Sequence, residues 1–192
     1  NREIIKDYAE QYYQHVKAFP RYISATHSIC EDIEKRRILL ENLQDEENKD
    51  GDHPKLWKNF AKALGADDEK IENAKLDWFT KDMIDNFFAQ ARKSYAEGLA
   101  SLYTYERQIP EIAETKIQGL KKFYGVNSKE GLEFFEAHKS ADVIHRAECE
   151  KLLDGLSKEE QKKAENASLL TARYLWNFLS GMVSKHKLQQ AA

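Results

Sequence analysis

This chain predicts an all-α fold, and three observations predict it. Only three prolines and eight glycines interrupt its 192 residues, and most fall where helices should start, bend or stop. Apolar residues recur at helical intervals, as in KDMIDNFFAQARKSYAEGLASLYTYE: Met83, Ile84, Phe87, Phe88 and Ala91 mark one face, while Lys81, Asp82, Asp85 and Arg92 fall largely on the other. Capping residues stand at the junctions. Ser128 and Ser157 each precede a short acidic turn, and Gly125 reads as a terminator.

The elements follow in order. The first helix is expected over 2–29, with a bend near Pro20 and an aromatic face of Tyr8, Tyr12 and Tyr13 that reads as core rather than redox relay. A second, over 31–47, runs into the polar stretch DEENKDGD, the best loop in the chain because Gly51 sits among turn-forming residues. Pro54 opens a third over 54–64, and the amphipathic pattern above predicts one long helix over 76–106. The remaining helices are expected over 110–124, closed by Gly125, over 129–154, capped by Ser128, and over 157–186, capped by Ser157. Without internal repeats or low-complexity segments, residues 1–192 read as one domain of long antiparallel helices with short connections.

Composition narrows the function classes. Residues are 41% hydrophobic and 33% charged, enough for a real core, and 30 basic against 33 acidic residues leave a net charge of −3. No basic face for nucleic acid is implied. Cys30 and Cys149 lie far apart in helical patterns, which fits reduced thiols better than a disulfide framework. No apolar run approaches the roughly 18 residues of a membrane span and no secretion signal opens the chain, so a soluble cytoplasmic protein is expected. Phosphoryl transfer and serine hydrolysis lack their motifs, since there is no Gly-rich phosphate loop and no GxSxG.

One cluster of polar residues stands out. In FFEAHKSADVIHRAECEKLL, His138, Asp142 and His145 are spaced i, i+4, i+7, which puts two imidazoles and a carboxylate on one helix face. These are metal-ligand types at a metal-ligand spacing. His138 and His145 are about 10 Å apart along the axis at ~1.5 Å per residue, far for two nitrogens sharing one ion. A pair of ions ~3.5 to 4 Å apart, with Asp142 between the histidines, fits more easily.

Such a pair needs further donors. Glu46 and His53 bracket the polar loop, so a short connection can bring a carboxylate and an imidazole to a common target. Glu106 follows an apolar run in LYTYERQIP, where burial of a carboxylate is costly unless it is paired or metal-bound. Three carboxylates with three imidazoles suit iron or manganese better than a thiolate zinc site. Each residue also has a plainer reading. A lone helical histidine is ordinarily a surface or satisfied core residue, Glu46 and His53 alone make an ordinary polar loop, and Glu106 could pair with Arg107 or a lysine. His15, His27 and His186 lack carboxylates at ligand spacing and read as core or solvated, Lys116, Lys121 and Lys122 as a solvated face, and Cys149 as a small packed hydrophobe.

The segments YAEQYYQHVKAFPRYISATHSIC, LLENLQDEEN, LYTYERQIPEIAETKI and FFEAHKSADVIHRAE resemble the heme-oxygenase-like proteins related to pyrroloquinoline quinone biosynthesis protein C, and within them the chlamydial branch that associates with death domains. The resemblance covers nearly the whole chain. It implies a bundle of about seven helices enclosing a dinuclear non-haem centre, Fe/Fe or Fe/Mn, held by Glu46, His53, Glu106, His138, Asp142 and His145. It further implies para-aminobenzoate formation for folate, with dioxygen as co-substrate and a small aromatic substrate or the protein's own side chains as the source of the product. Lys116 falls on the candidate nitrogen donor and Tyr105 stands beside Glu106. The ring-supplying tyrosine of the family lies in an N-terminal helix that this sequence, starting at Asn1, is expected to lack. Alternative readings on the same scaffold are a quinone-cofactor-type oxidase, a metal oxidase of a fatty acid or amino acid, and a death-domain-binding protein; a homodimer is a further expectation.

Overall fold

A computed structural model describes residues 1–49 and 51–188, apart from the side chains of residues 140–142. All regular structure among the described residues is helical: α1 Arg2–Ser28, α2 Ile33–Glu46, α3 His53–Ala63, α4 Asp68–Glu72, α5 Trp78–Lys93, α6 Tyr95–Glu106, α7 Ile109–Gly119, α8 Lys129–Asp154 and α9 Lys158–Lys185. The all-α expectation holds. α1 runs through the middle of the assembly, packing on α2, α3, α5 and α6, while α8 packs on α3, α6 and α7, and α9 lies along α5 and α6.

Helix ends follow the residues expected to set them. Ser128 accepts the Gly131 N–H at 3.1 Å, Ser157 and Glu160 form a reciprocal capping box, and Gly125 takes the left-handed conformation at φ +67° that ends the chain's run after α7. Pro20 sits inside α1 without ending it.

Three boundaries differ from expectation. The helix predicted over 76–106 breaks at Ser94, which adopts extended backbone (φ −159°, ψ 162°) and caps α6, accepting from the Glu97 N–H at 3.2 Å and donating to the Glu97 carboxylate at 2.8 Å. A serine that can cap locally competes with helix continuation, and periodicity alone does not register it. The segment predicted over 110–124 is α7 followed by a π-helical turn, Leu120–Tyr124. The short α4 went unpredicted because five residues carry no periodicity; the Asp67 side chain caps it through the Glu69 and Lys70 N–H groups. Glu72 then clasps α4 to its neighbours, accepting from Tyr13 at 2.9 Å and Lys17 at 2.7 Å and pairing with Lys58. Hydrogen bonds from Lys17 and Lys58 hold its carboxyl at about 2.

The core is unusually aromatic around α1. Trp57 is fully buried and donates to the Ala9 carbonyl at 2.8 Å, and Tyr22 stacks on Phe87 with centroids 5.0 Å apart. His15 is buried among Tyr12, Phe19, Tyr22, Phe87 and Tyr105, as its core reading anticipated, and neither ring nitrogen has a hydrogen-bond partner. Burial pushes its pKa down to about 3. Helices also approach closely where side chains vanish: a Cβ at Gly181 of α9 would overlap the ring of Phe79 on α5.

Two outcomes follow from this packing. Gly181→Ala is expected to destabilise the fold by about 1–3 kcal/mol through overpacking, whereas Gly119→Ala, with open space and helical backbone, should stabilise it by about 0.4–1 kcal/mol, both read by denaturant unfolding. His15 is neutral in the native state and protonates in the unfolded chain below pH ~6.5, so its contribution is constant above that pH and is lost as pH falls toward 3. Between pH 7.5 and 5 the wild type should therefore lose about 2 kcal/mol more stability than His15→Leu; parallel pH curves for the two proteins would contradict this.

Candidate metal centre

Four helices deliver the polar side chains. Glu46 ends α2, His53 begins α3, Glu106 ends α6 and His138 and His145 project from α8. The α2–α3 loop makes its turn because Asp52 caps α3, accepting the Lys55 N–H at 2.8 Å. Glu46, His53 and His138 offer donor atoms that all lie within 4.8 Å of one another, and His53 Nδ1 is 2.8 Å from Glu46 Oε2. The rings of His53 and His138 have centroids 4.1 Å apart.

Each imidazole is held by a neighbour. His138 Nδ1–H donates to the Phe134 carbonyl one turn back at 2.7 Å, which fixes the tautomer and leaves Nε2 as the nitrogen with a free lone pair. Burial, then the adjacent His53, pushes the His138 pKa well below its ordinary value, so the ring is neutral and competent as a ligand. His145 is buried, and its Nε2 lies 3.0 Å from Asp45 Oδ2. Glu106, only 1% exposed, accepts from Asn42 Nδ2 at 2.7 Å and from the Cys149 thiol at 3.7 Å.

The six expected donors therefore divide. Glu46, His53 and His138 share one cluster, while Glu106 and His145 are buried in contact with the same helix, α2, through Asn42 and Asp45. Asp142 lies on α8 between the histidines, with its side chain outside the described residues. Glu46 is 3% exposed and faces an imidazole rather than a lysine or arginine. Buried carboxylates beside imidazoles, that of His138 neutral, are a donor set that suits a divalent cation of the iron or manganese type.

Cys149 packs in the core as expected, and its thiol, one helical turn after His145, also meets Glu106. Two other expectations need correction. His186 has a carboxylate after all, Asp7 at 2.6 Å, brought from the far end of the chain by the α1–α9 contact. Lys116 is not on a solvated face. It is half-buried, donates to Tyr8 OH at 2.7 Å, and sits 5.0 Å from the Tyr8 ring and 5.5 Å from that of Tyr12. Asn42 and Asp45 were missed although their i and i+3 spacing, with Glu46 at i+4, puts all three on one face of α2. The Phe134 carbonyl is backbone and leaves no sequence signal.

A cavity of about 580 Å³ has walls that include Tyr8, Tyr12, Tyr105, Ile112, Lys116 and Phe178, and Tyr105 joins it to Glu106 along the chain. Tyr12 shares this cavity with Tyr105, the chain neighbour of Glu106, and burial raises the Tyr12 pKa. On the other side the rings run from Tyr12 to Trp57, Phe134 and His138 with centroid spacings of 5.0, 4.8 and 4.0 Å. A second cavity of about 610 Å³, against Tyr103, Leu153 and Ser168, includes none of the candidate residues. No described helix is long and apolar enough to cross a membrane.

Comparison with known proteins shows the family and the fold. Residues 6–176 match a family described as iron-containing redox enzymes. The chain is 40% identical over 183 residues to a 4-aminobenzoate synthase of Chlamydia trachomatis, covering 95% of this chain and 79% of that protein, and 37% identical over 193 residues to one of Nitrosomonas europaea, covering 94% and 78%. Solved structures share the fold. A domain of unknown function with a heme oxygenase-like fold from Shewanella denitrificans superposes with a TM-score of 0.80 at 17% identity, over 100% of this chain and 82% of that one. A TenA homolog from Pseudomonas syringae gives 0.82 at 17% identity, over 96% and 80%. The chain belongs to the heme-oxygenase-like family of iron-containing redox enzymes.

Proposed function

We propose that this protein is an oxidoreductase that forms 4-aminobenzoate, using dioxygen at a dinuclear iron or iron–manganese centre held by Glu46, His53, Glu106, His138, Asp142 and His145. The observation that carries the reading is the convergence of Glu46, His53 and His138 donor atoms within 4.8 Å, and a cavity lined by Lys116 and by Tyr105, the chain neighbour of Glu106, accompanies it. The curated relatives named as 4-aminobenzoate synthases supply the reaction, and the family supplies the iron.

Iron in such a centre supplies the one-electron redox chemistry that dioxygen needs in order to react. The chain's own residues do the rest. Tyr105, Tyr12 and Phe178 wall off an apolar space wide enough for a benzene ring and limit access of bulk water. Lys116 presents a primary amine at that space, steadied by the Tyr8 hydroxyl, and is the nitrogen source in this reading. Tyr105 lines the cavity and is joined to Glu106 through the backbone. The neutral His138 keeps a lone pair available at neutral pH. A death-domain partner would use exposed charged surface such as that of α2, and no described feature favours it over solvent there.

The full-length protein prepared with ¹⁵N-lysine, loaded with iron and reductant and exposed to dioxygen, is expected to release 4-aminobenzoate carrying ¹⁵N, detected by mass spectrometry. Lys116→Arg, which keeps the cation and removes the primary amine, is expected to abolish product. Unlabelled nitrogen in the product, or an active Lys116→Arg variant, would remove Lys116 from this role; no product from iron-loaded wild type would count against the activity itself.

A further inference from the structure

The carboxylate of Glu106 is gripped from α2, and the grip is incomplete on one side. Asn42 is 3% exposed and lies one helical turn before Glu46 on the same face. Its Nδ2 is 2.7 Å from Glu106 Oε1. A carboxylate only accepts, so the amide is oriented with its N–H₂ toward Glu106. Its Oδ1 is thereby the amide atom that cannot bond Glu106, and it is buried without any hydrogen-bond partner. A buried amide oxygen left alone costs about 1–3 kcal/mol, which few native sites tolerate without a ligand or water to meet it.

We propose that Asn42 is a positioning residue of the metal centre: its N–H₂ holds the Glu106 carboxylate and its Oδ1 accepts a hydrogen bond from a water that enters together with the metal. The inference rests on the dinuclear reading above. Three features support it. The two amide atoms share one carbon, so Oδ1 stays beside the carboxylate that Nδ2 grips. Asn42, Asp45 and Glu46 make α2 a single rail that touches Glu106, His145 and His53 in turn. Glu106 is also held from α8 by Cys149, so its orientation is set from two helices before any cation arrives. Partners of this kind typically contribute 10–100-fold to metal affinity.

The test uses Mn(II) alone as probe with the full-length protein. Asn42→Leu keeps the branched shape and removes both polar amide atoms; should it fail to fold, Asn42→Ser, smaller and polar, carries the same measurement. The expected result is a folded variant whose Mn(II) dissociation constant rises about 10–100-fold and whose bound-Mn(II) electron paramagnetic resonance spectrum differs from wild type. Unchanged affinity overturns the proposal, and so does weaker affinity with an unchanged spectrum, which is what a merely structural residue would give. If wild type itself binds neither Mn(II) nor Fe(II), the metal-centre reading fails first and takes this inference with it.

Discussion

Carboxylates and imidazoles removed from water between α2, α3, α6 and α8 impose the constraint around which this bundle is arranged. Glu46, His53, Glu106, His138 and His145 are each at most 5% exposed, and desolvation of so many polar groups opposes folding unless each finds a partner. The protein answers with neutral donors. A backbone carbonyl fixes His138, an amide and a thiol hold Glu106, and an imidazole faces Glu46. Such partners keep the carboxylate and imidazole donors ordered between the helices, and that donor set suits a divalent cation.

The aromatic core then separates this polar centre from solvent. Phe134 stands against His138 and Trp57 packs on Phe134, while Tyr12 and Tyr105 line the cavity. The same rings that stabilise α1 against α3 and α5 therefore define the space in which an aromatic group can be held. Lys116 belongs to that wall, because its ammonium is met by the faces of Tyr8, Tyr12, Trp57 and Phe135. Fold stability and site shape are here the work of one set of side chains.

Much of this was legible from residue order. Helical periodicity, the caps at Ser128 and Ser157 and the stop at Gly125 gave the fold class and most boundaries, and the spacing of His138 and His145 placed two imidazoles on one side of α8. What stayed hidden depends on contacts between distant segments or on local competition. Ser94 breaks a periodic run through a cap that periodicity does not register. His186 meets Asp7 across nearly the whole chain, and Lys116 turns inward because rings from α1, α3 and α8 surround it. Asn42 carries no charge to mark it, although its sequence spacing puts it in register with Glu46.

Anomalous diffraction at the iron and manganese edges, from crystals of protein loaded anaerobically with both metals, measures the central claim most directly. The account predicts two peaks about 3.5 to 4 Å apart, one or both ringed by Glu46, His53 and His138, with Glu106 and His145 among the donors. Metal-loaded crystals with no peak between α2, α3, α6 and α8, or with these side chains turned to separate regions, would contradict it.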